Sequence, residues 1–302
     1  MPREGEVSVL HSSRTRQVRK VRLGDHLCLP FRSDDEQREV LTTYIVDGLT
    51  RGERVIYYAD RTAPDVVGSW LAESGIETGR MIDEGRLEIR SVDNDHLSGG
   101  LSELDIVITT LWVEVRQARD AGYPGLRISR EMTSELKSAA GERALVEYEQ
   151  RLSKVFHSRE LVAICQYDQR LFDDAAITGL IACHSQVVQI DPLHDDRRLR
   201  IVPTYAPRGL RILGTVDVIT AGALTTTLHR ATRWPESDLH LDLGELEFID
   251  VAGVRAIVRA AAGLTPGRRL IIERLAPGLR KVFKIVGWDR TPGLRFGEEV
   301  DL

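Results

Sequence analysis

Residues 161–168 read LVAICQYD, an apolar run typical of a strand buried on both faces. A helical pattern over 144–158 precedes it. Upstream, strand-like runs alternate with helical segments in the same way: HLCLPF (26–31), ERVIYYAD (53–60), LEIRSVD (87–93) and GLRISREM (125–132). Strands separated by helices of this length predict right-handed parallel crossovers. The first part of the chain is therefore expected to form an open parallel α/β sheet with both faces covered.

Composition excludes several classes of protein. The 302 residues carry a formal net charge of -5, which disfavours a strongly basic nucleic-acid binder, and no recognition-helix segment is evident. Three cysteines are too few for a disulfide framework. The sequence has no apolar stretch long enough for a membrane span and no apolar core of a secretory signal near its start. We therefore expect a cytoplasmic protein.

The strand–helix alternation predicts two domains. It stops near Gln189, and the Pro-rich, charged stretch 191–209 is predicted to be a linker, with one strand-like piece at Leu199–Val202. A β-α-β-α-β-α pattern over 210–302 is long enough for a second domain after the first, at 19–190. Residues 1–18 are predicted to form a basic arm, which is either frayed or a contact for an acidic partner.

The second domain contains a specific motif. LHLDL (239–243) is followed by FIDVAGV (248–254), and Gly214-Thr215-Val216-Asp217 precedes both. This order and spacing resemble the STAS domains of anti-sigma-factor antagonists over about 210–297. The resemblance implies an interaction module for an anti-sigma factor or a related regulatory kinase.

The turn of that motif departs from the signalling pattern. Asp250 ends the strand and is predicted to cap the next helix. In signalling members of the family, a hydroxyl residue just before the glycine is phosphorylated, but here Val251 and Ala252 precede Gly253. We expect Asp217 and residues 250–253 to form a partner-binding loop that phosphate does not switch, with capping by Asp250 as the simpler alternative.

The first loop of the chain lacks the features of a phosphate-binding loop. A Walker A loop needs glycines and a lysine, whereas residues 30–36 read PFRSDDE. Ser33 and Glu36 instead form a capping box, and three acidic residues in the first helical turn would repel a triphosphate. ATP hydrolysis at this loop is not expected.

A RecA-like order without a Walker loop resembles the MEDS family, the sensory domain described for methanogens and methylotrophs. The matching pieces are GDHLCLPF (24–31), LRISREM (126–132), Tyr148-Glu149 and the Cys-x-Tyr-Asp strand at 165–168. The expected fold is therefore α/β, with a RecA-like parallel-sheet domain lacking a Walker A loop, followed by a small STAS domain. Membership implies sensing of a small ligand or a partner rather than catalysis.

Candidate ligand-binding residues follow from strand ends and from the resemblance, because ligands of open parallel sheets bind beyond the carboxyl ends of the strands. They are His26, Cys28, Phe31, Glu131, Met132, Tyr148, Glu149, Cys165, Tyr167 and Asp168. Each has a structural alternative: a buried thiol or imidazole, a salt bridge for Glu131, a core position for Tyr148 and a solvated one for Glu149. Cys183-His184 adds donors, but no compact four-ligand spacing exists, so no metal or cofactor is predicted.

Three functions remain open at this point. The favoured one is a signalling protein that is not an enzyme and whose sensory domain biases how its STAS domain meets a partner. The second is a degenerate RecA-like nucleotide binder or weak hydrolase that uses Glu131. The third is a scaffold whose first domain forms a homo-oligomer or shields the STAS surface.

Overall fold

The computed structural model describes residues 15–91, 101–132, 139–234 and 238–297. The chain divides into two compact units, Met1–Ile190 and Asp191–Leu302. In these described ranges, no helix combines the length and the hydropathy that crossing a membrane requires.

The first unit is built on seven parallel strands. They are β1 (Thr15–Gln17), β2 (His26–Phe31), β3 (Arg54–Ala59), β4 (Leu87–Ser91), β5 (Leu126–Glu131), β6 (Leu161–Asp168) and β7 (Gln186–Gln189). Their order in the sheet is β1-β7-β2-β6-β5-β3-β4. All eight residues of β6 are buried, as its apolar content predicts.

Helices cover both faces of this sheet. They are α1 (Asp34–Thr50), α2 (Pro64–Glu73), α3 (Thr78–Asp83), α4 (Leu101–Asp120), α5 (Ala139–Leu152) and α6 (Asp174–Cys183), with 3-10 turns at Val18–Lys20 and Ser153–Ser158. The buried side chains of α1 and α2 belong to one apolar cluster, and those of α4, α5 and α6 to another. The helix predicted over 144–158 ends at Leu152, because its last residues form a 3-10 turn that stops at Arg159, where φ is 55°.

The strand order creates a crevice at one position of the sheet. β2 and β6 are neighbours, but α1 after β2 and α6 after β6 pack on opposite faces. Connections that leave in opposite directions open a gap beyond the carboxyl ends of two adjacent strands, where ligands of such sheets bind.

The described residues of the second unit form a six-stranded sheet and three helices. The strands are β8 (His194–Asp195), β9 (Leu199–Tyr205), β10 (Arg208–Val216), β11 (Leu239–Ile249), β12 (Leu270–Glu273) and β13 (Leu294–Phe296). The helices are α7 (Ala221–Ala231), α8 (Val251–Ala262) and α9 (Pro277–Val286), and a 3-10 turn follows at Trp288–Arg290. β10 to β13 pair in parallel, whereas β8, β9 and β10 are antiparallel.

The structure differs from the predicted linker at 191–209. These residues form β8, β9 and the first residues of β10, so this sheet begins before Leu210. Leu199 and Ile201 are fully buried and alternate with the half-buried Arg200 and Val202. Pro207 lies in the turn between β9 and β10, and Pro203 lies within β9 opposite Leu210.

Most of the predicted basic arm lies outside the described residues. Only 15–18 of it are described: Thr15–Gln17 pairs with β7 as β1, and Val18 is fully buried.

Candidate functional site

Four side chains with metal-ligating atoms meet in the first unit, on the side of the sheet that α5 and α6 cover. His26 is the first residue of β2, Cys165 lies in the neighbouring β6, Glu149 is in α5 and His184 follows α6. One donor atom from each lies within 4.8 Å of those of the other three, and all four side chains are buried. The cluster depends on the fold, because Glu149 and His184 come from two separate crossover connections, and His26 and Cys165 from two neighbouring strands.

Glu149 is at the centre of this cluster. Its Oε2 lies 3.2 Å from Nε2 of His26, 3.4 Å from Nε2 of His184 and 3.7 Å from Sγ of Cys165. Cys165 Sγ is also 3.4 Å from His26 Nε2. The four atoms therefore surround one small volume.

An outer layer of contacts orients these side chains. The Tyr167 hydroxyl donates to Glu149 Oε1 at 2.5 Å. His26 Nδ1 lies 3.1 Å from the Ser153 hydroxyl oxygen, and His184 Nδ1 is 2.8 Å from the Leu180 carbonyl oxygen. In each imidazole, Nδ1 therefore contacts an oxygen outside the cluster, and Nε2 faces Glu149.

Burial and charge set the protonation states. Burial raises the pKa of Glu149, but the facing His184 and His26 lower it by more, so that pKa lies well below its usual range. Burial lowers the pKa of His26, and burial together with Glu149 raises the pKa of the Cys165 thiol. The cluster therefore places one carboxylate, two histidine rings and one thiol together in a buried site.

Glu131 lies at the carboxyl end of β5 and anchors a loop. Its Oε2 accepts from the backbone N–H groups of residues 60, 61 and 62 at 3.0, 2.6 and 2.9 Å. Its Oε1 accepts from the Tyr57 hydroxyl at 2.6 Å and from Gln37 Nε2 at 3.2 Å. The salt bridge considered for Glu131 is replaced by five hydrogen bonds that occupy both carboxylate oxygens.

Asp168, at the end of β6, holds two arginines at the crevice. Its carboxylate accepts from Arg61 at 2.5 Å and from Arg170 Nε and Nη2, both at 2.7 Å. Arg170 also reaches Asp34 at 2.5 Å. A cavity of about 470 Å³ opens here, with Phe31 and Glu131 in its lining.

The remaining predicted site residues lie in the apolar core. Cys28, Met132 and Tyr148 are buried among the side chains that α4 and α5 pack on the sheet. Tyr148 also lines a second cavity of about 300 Å³, most of whose lining is apolar and which includes Cys165.

The ten predicted residues thus separate into three groups. His26, Glu149, Cys165 and Tyr167 meet in the buried cluster; Phe31, Glu131 and Asp168 line the crevice; the other three are in the core. Sequence reasoning missed His184 as a member, although the Cys183-His184 pair was noted.

The first loop confirms the predicted cap. Ser33 Oγ accepts from the Glu36 N–H at 3.1 Å. The Glu36 carboxylate bonds the N–H of Arg32, at 3.0 Å, instead of that of Ser33. The start of α1 is thus occupied by its own side chains.

In the second unit, Asp250 caps α8 as expected. Its Oδ1 accepts from the Gly253 N–H at 2.8 Å, Gly253 is buried and Ala252 is exposed. Asp217 accepts from the Ile219 N–H at 2.9 Å, and that bond lowers the pKa of Asp217. Both acidic residues therefore lie in the loops that follow the carboxyl ends of β10 and β11, where each accepts a hydrogen bond from a backbone N–H group.

Apolar side chains are exposed around these loops. Val218 and Ile219, which follow β10, are 82% and 68% exposed, and Phe248 and Val251 beside Asp250 are 53% and 58% exposed. The ends of β10 and β11 are paired, with Val216 opposite Ile249. We call these four residues the turn patch.

Comparison with known families gives one match in each unit. Residues 25–185, more than half of the chain, match a family described as MEDS, the methanogen/methylotroph, DcmR sensory domain. Residues 204–296 match a family described as the Mlab, STAS domain. A search of the curated proteins gives no match. The first match includes all four residues of the buried cluster.

Proposed function

The chain belongs to the MEDS family and carries a STAS domain like the module of anti-sigma-factor antagonists, and from this we propose that it is a cytoplasmic signalling protein without catalytic turnover. Its first unit senses a small ligand or a partner. Its second unit binds an anti-sigma factor or a related regulatory kinase. Sensing requires that the ligand binds one of two states of the protein more tightly than the other.

The observation that carries this proposal is the turn at residues 250–253. It has the Asp cap and the buried Gly of a STAS turn, but the exposed Ala252 stands where a phosphorylated hydroxyl would be. Phosphorylation acts by adding charge to a docking surface. With a methyl group at this position, partner binding here does not depend on phosphate transfer to the turn.

The turn patch supports a protein partner. Exposed apolar residues are unremarkable singly, but Val218, Ile219, Phe248 and Val251 are grouped at the paired ends of two strands. Aromatic and aliphatic side chains of this kind form the centres of protein interfaces. We therefore place the partner-binding surface around the capped turn.

The first unit offers a cavity for the sensed ligand. The cavity of about 300 Å³ lies against the sheet side chains Ile128 and Ala163, with Arg90 and Arg130 among its few charged lining residues. A mostly apolar lining with few polar groups is usual for small-molecule sites. The corresponding ligand is a small, largely apolar molecule.

The nucleotide-hydrolase alternative has less support. The N-terminus of α1 is capped by Ser33, and the Glu131 oxygens already accept five hydrogen bonds, which leaves little capacity for a metal or a water proton. Arg61 and Arg170, the cations at the crevice, are paired with Asp168.

A binding assay tests the proposal. The full chain is mixed with purified anti-sigma kinases from the same source, with and without ATP, and complex formation and phosphate transfer are both measured. We expect a complex that ATP does not alter and no phosphate on the chain.

Two matched variants locate the interface. Ile219→Asp should weaken the complex, whereas Ile285→Asp, at a side chain 73% exposed on α9 of the same unit, should not. Phosphate transfer to the turn, or equal loss with both variants, would contradict the proposal.

A further inference from the structure

We propose that His26, Glu149, Cys165 and His184 form a closed, four-coordinate site for a divalent transition-metal ion of the zinc type. The donors are two imidazole nitrogens, one carboxylate oxygen and one thiolate sulfur. This donor set suits zinc and its close relatives rather than magnesium or calcium. The site goes beyond the proposed function and does not depend on it.

The spacing of the donors fits tetrahedral coordination. With metal bonds of ~2.0–2.3 Å, the donors of a tetrahedral zinc site lie about 3.3–3.6 Å from one another. Four of the six distances among the donors of Glu149, His26, His184 and Cys165 are 3.2, 3.4, 3.4 and 3.7 Å, and the other two are within 4.8 Å. The His184 Nε2–Glu149 Oε2 distance of 3.4 Å fits this range, whereas an ordinary N–H···O hydrogen bond is about 2.7–3.2 Å long.

The tautomers point to a cation at the centre. The Leu180 carbonyl can only accept, so His184 Nδ1 carries a proton, and in the neutral ring Nε2 presents a lone pair. That Nε2 is buried without a hydrogen-bond partner and faces the Glu149 carboxylate at 3.4 Å. An unprotonated Nε2 facing a carboxylate is repulsive unless a positive charge, either a second ring proton or a metal ion, lies between them. The 3.4 Å separation, with no hydrogen bond at Nε2, favours the metal ion.

His26 has the same arrangement. The Ser153 hydroxyl oxygen lies 2.9 Å from the carbonyl oxygens of residues 149 and 183, so its proton is committed to one of them. It therefore accepts from His26 Nδ1–H, and Nε2 of the neutral His26 ring carries the lone pair. Two imidazole lone pairs, a carboxylate and a thiol converge on one point.

The outer contacts are those that metal ligands usually have. Metal-bound histidines donate their second N–H to a nearby oxygen, and bound carboxylates are hydrogen-bonded in turn. Ser153 and the Leu180 carbonyl fill the first role, and the Tyr167 hydroxyl fills the second. In addition, the His26 ring stacks on Phe156 at 4.4 Å, which fixes its orientation.

Neighbouring thiols supply internal controls. Cys183 is next to His184 in sequence, but its Sγ contacts backbone carbonyls at 3.3 and 3.8 Å and is not part of the cluster. With four protein donors, the site leaves no open position for a reacting water. Its role is to fix the structure around β2, β6 and the two helices, and binding releases the Cys165 thiol proton to solvent.

Cobalt titration tests the site. The full-length chain is stripped with a chelator and titrated with Co²⁺ under reducing conditions while visible and near-ultraviolet absorption are recorded. We expect one ion per chain, intense tetrahedral d–d bands, a sulfur-to-cobalt charge-transfer band and displacement by Zn²⁺.

Three variants test the donor Cys165, the control Cys183 and the outer contact Tyr167. Cys165→Ser should lose the charge-transfer band, whereas Cys183→Ser should keep it. Tyr167→Phe should keep the spectrum but weaken Co²⁺ affinity by about 10–100-fold. Circular dichroism monitors folding, and if a variant misfolds the wild-type spectrum decides alone. Absence of stoichiometric binding, weak octahedral bands, or loss of the band in Cys183→Ser would overturn the proposal.

Discussion

Replacing Glu131 by glutamine tests whether this residue anchors a loop or acts in catalysis. The carboxylate accepts three backbone N–H groups from residues 60–62 through Oε2, and the Tyr57 hydroxyl and Gln37 Nε2 through Oε1. A glutamine of the same shape has only one acceptor oxygen. If that oxygen faces the loop, its NH₂ group opposes the NH₂ group of Gln37.

The cost follows from the number and kind of these bonds. A hydrogen bond to a charged group contributes about 1.5–3 kcal/mol, and one between neutral groups about 0.5–1.5 kcal/mol. Three loop bonds weakened by about 1 kcal/mol each lower the local stability by about 3 kcal/mol. Because about 1.4 kcal/mol is tenfold in an equilibrium constant, amide exchange at residues 60–62 should be about a hundred-fold faster.

Hydrogen exchange followed by mass spectrometry on the full chain measures this effect. The matched control is Glu73→Gln on α2, whose side chain is 61% exposed and pairs with Arg38. That change should stay within about 0.5 kcal/mol. Unchanged exchange at 60–62 in Glu131→Gln, together with loss of a nucleotide-dependent activity, would refute the anchoring role.

Three further predictions concern the second unit. Asp250→Ala removes the cap of α8 and should lower its unfolding free energy by about 0.5–2 kcal/mol in denaturant titration, whereas Asp250→Asn should lose less; equal losses would contradict the capping role. Gly209→Ala should destabilise this unit by about 1–3 kcal/mol or more, because its Cβ would lie within 2.0 Å of the His240 carbonyl oxygen. The control, Gly222→Ala in α7, meets nothing within 4 Å and should stabilise the unit slightly; a lower melting temperature for it would count against this reasoning. Burial raises the pKa of Asp242, but Arg274 and Arg211 lower it by more, so the folded pKa lies below the unfolded one of about 3.9. The stability this gives is present above about pH 4 and is lost as pH falls through the folded pKa. Asp242→Asn should flatten that acid limb of the stability profile, and an unchanged limb would show that other groups produce it.

Local patterns were sufficient to predict most of the fold. The apolar run of β6, the alternation of strands and helices, and the Asp and Ser caps at residues 250 and 33 are short-range signals, and the structure confirms them. The linker prediction at 191–209 was wrong because Pro207 lies in a β-hairpin turn and Pro203 within β9 itself, while Leu199 and Ile201 carry the strand pattern.

The buried cluster was only partly predictable. Glu149 follows Leu145 by four residues and precedes Leu152 by three, so it lies on the core-facing stripe of α5, and this spacing was a signal against a solvated position. His184 gave no comparable signal, because it reaches Glu149 only through the crossover of α6 over β2. Convergence of donors from separate connections is a property of the folded sheet.

Metal content of the native protein tests the central claim most directly. The tag-free full-length chain, purified without added metal or chelator, is measured by elemental mass spectrometry beside its Cys165→Ser and Cys183→Ser variants. The account predicts close to one zinc-type ion per chain in the wild type and in Cys183→Ser, and a clear loss in Cys165→Ser. A metal-free wild-type chain that is fully folded and gains no thermal stability from added Zn²⁺ would contradict it.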